Sequence, residues 1–152
     1  MEGFKQVTSC GIVPIRRFNG KIQILLGQPI ESGFYGLGFL KGQVEENETA
    51  FEAAKREFAE ESGNLDVEVF DEDIVFMQDN PRKKIFIWPA KVLQTKNNDN
   101  KVDEYGVITD HDAENEFVQF FDIEEMPMVF RNQQDIVDEL LIFIENNKNL
   151  ID

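Results

Sequence analysis

Continuous and alternating apolar runs predict β-strands along much of the chain. Residues 5–16 and 22–27 are two such runs, and Asn19-Gly20 between them is a dipeptide typical of a β-hairpin turn. Pro14 indicates that the first strand lies at a sheet edge or is bulged there, because proline lacks the N–H that a central strand uses. Further strands are predicted at residues 66–77 (as a strand pair or one bent strand), 85–93, and near 102–109.

Two segments predict α-helices. Residues 132–147 carry apolar side chains at helical spacing, which is typical of a helix that packs on a core. In the other segment, Thr49 and Glu52 have the spacing of a capping box, and Gly63 is a stop signal, so a helix is expected over about 50–62. The predicted order of elements is β-β-β-α-β-β-β-α.

Composition and charge narrow the class of protein. The chain has 152 residues, of which 41% are hydrophobic, and this excludes general disorder and suits one domain over residues 1–152. Thirty acidic against 15 basic residues give a net charge of −15, so long nucleic acid is not expected as a partner. The single cysteine, and the lack of a signal peptide or an apolar run of membrane-spanning length, predict a cytoplasmic protein that does not enter membranes.

Three carboxylates on the first predicted helix suggest chemistry. Glu57, Glu60 and Glu61 are spaced i, i+3, i+4, so they share one helix face and repel one another. A hard divalent cation would remove this repulsion, and Mg²⁺ prefers oxygen ligands together with substrate phosphates. A solvated acidic face is the alternative interpretation, since the chain is rich in Glu throughout.

The residues around these carboxylates resemble a known motif. Gly42, Glu48 and the run REFAEESG at residues 56–63 match the Nudix box in identity and spacing, and Asn64 is the one departure, where the family prefers an aliphatic residue. The chain therefore resembles a Nudix hydrolase. The resemblance implies an α/β fold, the Nudix α/β/α sandwich with a mixed β-sheet between helices. It also implies a pyrophosphohydrolase that uses Mg²⁺ or Mn²⁺ to cleave a nucleoside diphosphate linked to a further group.

The resemblance implies roles for particular residues. The expected metal ligands are Glu57, Glu60, Glu61 and the carbonyl of Gly42. A more distant glutamate, Glu114, is expected to complete the set, with Glu116 as the alternative. The general base is expected to be Glu57, with Glu61 or Glu114 as alternatives. Arg56 is expected to pair with Glu52 or Glu60 and to hold the carboxylates in register, and Glu48 to orient the loop before the helix.

Substrate contacts are expected at three further residues. Lys41 precedes the box, where its ammonium group is expected to hold a phosphate oxygen, and an exposed loop lysine is the alternative. Residues 9–17 and 87–92 resemble strands of the dinucleoside tetraphosphate hydrolases, in which an aromatic residue stacks on a base, and Trp88 is the candidate here. Phe130 resembles the stacking aromatic of the RNA 5′-pyrophosphohydrolases. For both aromatic residues a place in the core is the alternative.

Three functions are consistent with these observations. The first is hydrolysis of a dinucleoside polyphosphate such as diadenosine tetraphosphate, to ATP and AMP, by a monomer or homodimer. The second is the same chemistry on RNA 5′ ends, (d)NTPs or ADP-ribose. The third is an inactive nucleotide sensor, which would be expected to lack carboxylates of the box or to carry a DNA-binding domain.

Overall fold

The computed structural model describes residues 6–30 and 36–152. Within these ranges lie seven strands and two α-helices, and residue 5 of the first predicted strand falls outside them. The strands are β1 (Val7–Phe18), β2 (Lys21–Pro29), β3 (Lys41–Gln43), β4 (Val67–Val69), β5 (Phe76–Asp79), β6 (Lys83–Val92) and β7 (Asn115–Asp122). The helices are α1 (Ala50–Ser62) and α2 (Gln134–Asn146).

The strands form one mixed sheet with β1 near its centre. Strand β1 pairs in parallel with β6 and antiparallel with β2 and β3. The sheet has the order β4-β6-β1-β2-β7, with β3 added to β1 and β5 added to β6. The Asn19-Gly20 turn between β1 and β2 is confirmed, with φ of 51° and 79°, as a two-residue hairpin of right-handed twist requires.

Pro14 lies inside this sheet, so the expected edge position is wrong. Pairing of β1 with β3 covers Ser9 to Gly11, and its pairing with β2 resumes at Ile15. Pro14 lies between these two paired segments of β1. On the other side of β1, the pairing with β6 continues without a break past Pro14. A residue without an N–H is tolerated in a central strand where one ladder is interrupted.

Each face of the sheet is covered by one helix. Alternate residues of β1 point to opposite faces, so Ile12 packs in the core beneath α1, whereas Val13 packs in the core beneath α2. Helix α1 contributes Ala53, Ala54 and Phe58 to its core, and α2 contributes Ile136, Leu140 and Ile144. The expected α/β/α sandwich is confirmed. No helix in the described ranges is long and apolar enough to cross a membrane, and the assignment of the chain to one domain stays a prediction.

Helix α1 begins and ends where the sequence predicts. The Thr49 hydroxyl accepts the amide of Glu52 at 3.1 Å, and the Glu52 carboxylate accepts the amide of Thr49 at 3.0 Å. Gly63 ends the helix in the left-handed region, with φ of 66°. This firm start and stop fix which residues of the helix face the sheet and which face the loops around it.

The region after α1 differs from the prediction. The expected strand near 102–109 is a turn, because the Asp103 carboxylate accepts the amides of Tyr105 and Val107, and only isolated bridges occur there. The strand that pairs with β2 is instead β7. The predicted strand pair at 66–77 is present as β4 and β5, which both pair with β6. Four strands therefore follow α1 rather than three.

Candidate functional site

Arg56 connects the loop before α1 to the carboxylates on the helix. Its guanidinium donates to both Glu48 oxygens, at 2.7 and 3.0 Å, and to Glu57 at 2.8 Å. It also donates to the carbonyl of Gln43, at 3.1 Å. The hydrogen bonds from Arg56, followed by the amide of Glu45, hold the pKa of Glu48 well below its usual range. Arg56 thus contacts Glu57 and Glu48 directly, and of the two predicted partners it pairs with Glu60, at 3.7 Å, rather than with Glu52.

Glu57 lies directly against the backbone of β3. The side chain of Glu57 is only 15% exposed, and its carboxylate occupies the space that a Cβ at position 42 would need. Glycine is therefore required at this close approach, and a larger residue would displace the Glu57 carboxylate. The structure brings these two predicted metal ligands together.

A second group of carboxylates forms around Glu61. Oxygens of Glu61, Asp112 and Glu114 all lie within 4.8 Å of one another. Asn115 stands among them, donating to Glu61 Oε1 at 3.3 Å and to Asp112 at 3.0 Å. Glu61 is buried, with 6% of its surface exposed, and its Oε2 atom has no hydrogen-bond partner within the described ranges.

The surroundings of Glu61 oppose its ionisation. Burial raises the pKa of Glu61 to about 8, and the charges of Asp112, Glu57 and Glu114 act in the same direction. Hard divalent cations prefer carboxylate oxygens as ligands. The group around Glu61 offers several of these, and one of them is buried without a hydrogen-bond partner in the described ranges. The residues present therefore fit the divalent metal that the sequence predicts.

Two lysines lie on the same cavity as this group. The cavity has a volume of about 600 Å³, and its lining includes Lys41, Gly42, Glu61, Lys83 and Glu114. Burial lowers the pKa of Lys41 to about 7, with the charge of Lys83 as the next cause, while Glu61 and Glu57 act in the opposite direction. One cavity thus offers both carboxylate oxygens and ammonium groups, as metal and phosphate binding require.

The other predicted site residues are more scattered. Glu60 is 58% exposed and only approaches Arg56, at 3.7 Å, so it lies at the rim. Glu116 is exposed on β7 and is not part of the carboxylate group. Phe130 is half-buried, with its ring beside Gly36 and Gly38. Gly38 pairs with Gly27, which lines the cavity, so Phe130 lies near the cavity but outside its lining.

Trp88 does not support the predicted stacking role. It is 6% exposed, its indole N–H donates to the carbonyl of Glu72 at 2.8 Å, and its ring packs against Phe51 at a centroid distance of 5.2 Å. It belongs to the core beneath α1. The prediction failed because β6 is covered on both faces, so no face of this ring is free for a base.

Three residues of the site were missed in the sequence. Asp112 and Asn115 flank the predicted Glu114 in the run HDAENEF, and Lys83 is the first residue of β6. The density of acidic and amide residues in that run was a usable signal. Their approach to Glu61 depends on the position of the loop before β7, which has no periodic pattern from which to predict it.

Comparisons with known proteins agree with this geometry. The family model of the NUDIX domain matches residues 5–140. No curated protein matches the chain significantly in sequence.

Solved structures with the same fold include three of relevance. The Ap4A hydrolase of C. elegans, in a binary complex, is 20% identical, with a TM-score of 0.67 over 92% of this chain and 98% of that one. An ADP-ribose pyrophosphatase of Streptococcus suis is 17% identical, with a TM-score of 0.62, and the match covers 93% of this chain and 92% of that one. The NUDIX domain of Shewanella oneidensis NrtR, complexed with ADP ribose, is 14% identical, with a TM-score of 0.65. That match covers 92% of this chain and 89% of the other. At these identities the likeness shows the fold alone.

We expect the contribution of Glu61 to the stability of the protein without divalent cations to fall as the pH rises from about 4.5 to about 8, while Lys41 acts in the opposite direction above pH 7. In this window an unfolded chain has released the Glu61 proton, whereas the folded protein keeps it, so the folded state binds more protons and loses stability with rising pH. Urea unfolding in EDTA across this range measures the effect. The Glu61→Gln variant cannot ionise there and should show a flatter profile. Parallel profiles for the two proteins would contradict the burial of an ionisable Glu61.

Proposed function

The chain belongs to the Nudix family of pyrophosphohydrolases, whose domain model matches residues 5–140, and we propose that it hydrolyses a dinucleoside polyphosphate. Diadenosine tetraphosphate, cut asymmetrically to ATP and AMP, is the substrate that we propose. The observation that carries this proposal is the single cavity in which Lys41 and Lys83 accompany the carboxylates around Glu61.

A divalent cation, Mg²⁺ or Mn²⁺, would be held by carboxylates on two elements. Glu57 and Glu61 come from α1, with Glu60 at the rim, and Glu114 comes from the loop before β7. Asp112 and the carbonyl of Gly42 complete the set of oxygens. When bound, the ion supplies charge neutralisation for the phosphate oxygens and increases the acidity of water.

The two lysines bind the phosphate chain. Ammonium groups form charge-assisted hydrogen bonds with phosphate oxygens, and such bonds are stronger than those between neutral groups. Lys41, with its pKa near 7, gains a proton when an anion approaches, because the added negative charge favours the charged form. The cavity thus becomes more positive on the phosphate side as the substrate enters.

Glu57 is the side chain best oriented to take a proton from the attacking water. Its carboxylate accepts a hydrogen bond from Arg56 at 2.8 Å and lies in the space left by the missing side chain of Gly42. Glu61 is more deeply buried, and burial raises its pKa to about 8, so without a cation its ionised form is disfavoured. We therefore assign the base to Glu57 and the central metal-binding role to Glu61, with Arg56 as the positioning residue.

The nucleobase would be held near the mouth of the cavity. With Trp88 in the core, Phe130 is the remaining predicted platform, and it is half-buried. Pro29 and Ile30 line the cavity and offer an apolar wall on which a base can pack. Stacking of a base on an aromatic ring contributes about 1–3 kcal/mol.

The similar structures support two substrates. The C. elegans protein is an Ap4A hydrolase, and its structure is covered by this chain over 98% of its length. The Streptococcus protein, an ADP-ribose pyrophosphatase, and the NrtR domain with bound ADP ribose make ADP-ribose the second candidate. The net charge of −15 disfavours long RNA. All carboxylates of the box are present, which disfavours an inactive sensor.

The distant glutamate of the site can be tested by a matched pair of substitutions. We expect Glu114→Gln to lower kcat by roughly 10²-fold, the scale of a lost charge-stabilising group, because its carboxylate lies with Glu61 and Asp112. Glu116→Gln, on the same segment but outside the group, should stay within about twofold. Steady-state kinetics of both variants with saturating Mg²⁺ measures this. Equal losses, or a larger loss in Glu116→Gln, would place the site elsewhere.

A substrate panel tests the proposed function itself. Diadenosine tetraphosphate, ADP-ribose, a dNTP and a 5′-triphosphorylated RNA are compared with Mg²⁺, and products are separated by chromatography. We expect the dinucleotide to have the highest kcat/KM and to give ATP and AMP, and Phe130→Ala to raise its KM by about tenfold, as loss of one stacking contact predicts. A higher kcat/KM for ADP-ribose would contradict the proposal and favour the second candidate.

A further inference from the structure

A second concavity beside the active-site cavity is lined by basic and amide side chains. It measures about 670 Å³, and we call it the basic groove, defined by Gln78, Asn80, Arg82, Lys83, Arg131 and Asn132. These residues come from β5, the turn that follows it and the first residue of β6, and from the segment just before α2. The two segments are joined by the amide of Asp135, which donates to the side chain of Gln78 at 3.1 Å.

The charge of the basic groove is opposite to that of the protein. Its lining holds three cationic side chains and no carboxylate, in a chain with 30 acidic and 15 basic residues. Neither Lys83 nor Arg131 forms an ion pair within the described ranges. The like charges of Lys83 and Arg131 repel one another, and an anionic ligand would remove that cost.

The basic groove continues the active-site cavity. Gln43 and Lys83 line both concavities, so the two spaces meet at these residues. At its other side the groove reaches Arg131 and Asn132, next to the N-terminal end of α2, where the helix dipole adds partial positive charge. A ligand that leaves the cavity past Lys83 therefore enters a concavity lined by cationic and amide side chains.

We propose that the basic groove is an anion subsite for the distal phosphates of the substrate, those beyond the pair at the carboxylates. This inference rests on the proposed function in so far as the substrate is a polyphosphate. The guanidinium of Arg131 can bind a phosphate through two parallel hydrogen bonds, and the groove amides donate further ones. The subsite selects for length, because a substrate with two phosphates ends in the cavity, whereas one with four extends into the groove.

Arg131→Gln tests this subsite, and Lys148→Gln is its matched control. Arg131 is exposed, so its substitution spares the core. Lys148 is an exposed cation beyond the opposite end of α2, paired with Glu145, about 20 Å away for a helix of this length. We expect Arg131→Gln to raise KM for diadenosine tetraphosphate by about tenfold, the effect of about 1.4 kcal/mol, with KM for ADP-ribose changed less than about twofold. Lys148→Gln should change neither.

Equal changes for the two substrates, or none, would overturn the subsite. A KM that depends on Arg131 for 5′-triphosphorylated RNA but not for the dinucleotide would also overturn it, because the groove would then serve a nucleic-acid strand.

A binding measurement separates this inference from the proposed function. Inorganic tripolyphosphate is titrated calorimetrically, in EDTA, into the full-length protein and both variants. We expect Arg131→Gln to weaken its binding by about tenfold and Lys148→Gln to leave it unchanged, with the wild-type affinity falling as salt screens the charges. Equal affinities for wild type and Arg131→Gln would overturn the subsite. If the substrate panel favours ADP-ribose while tripolyphosphate binding depends on Arg131, the proposed function fails and the anion subsite stands.

Discussion

The crowding of negative charge around the buried Glu61 side chain is the constraint on which the site depends. One oxygen of this carboxylate is buried without a hydrogen-bond partner in the described structure, and Asp112 and Glu114 lie within 4.8 Å. Burial of carboxylates in such proximity costs stability unless they are protonated or share a cation. The arrangement therefore lowers the stability of the folded protein without a cation, and it is suited to binding a divalent ion.

The rest of the fold holds this unfavourable group in place. Strand β1, paired on both sides, positions β3, and β3 carries Lys41 and Gly42 to the edge of α1. Arg56 ties Glu57 to Glu48 and to the backbone of β3, so the Glu57 carboxylate is held towards β3. The stability lost at Glu61 is offset by packing in the two cores on either side of the sheet.

Local sequence signals predicted the parts of the site that lie on one element. The capping box and Gly63 fixed α1 to the residue, and the spacing of the Nudix box located Glu57, Glu61 and Gly42. Asp112 and Asn115 could not be placed in the same way, because a loop without periodicity brings them to Glu61. Trp88 was predicted to stack on a base but lies in the core beneath α1. Its burial depends on the layers that cover β6, which the residue type alone does not indicate.

Cation-dependent stability tests the central claim most directly, since it needs no substrate. The melting temperature of the full-length protein is measured at neutral pH in EDTA and in excess Mg²⁺ or Mn²⁺, for wild type, Glu61→Gln and Glu116→Gln. If the carboxylates around Glu61 hold the ion, the cation should raise the melting temperature of wild type and Glu116→Gln by several degrees, through binding to the folded state alone. Glu61→Gln should lose most of this shift. An equal shift in all three proteins, or none in wild type, would contradict the account.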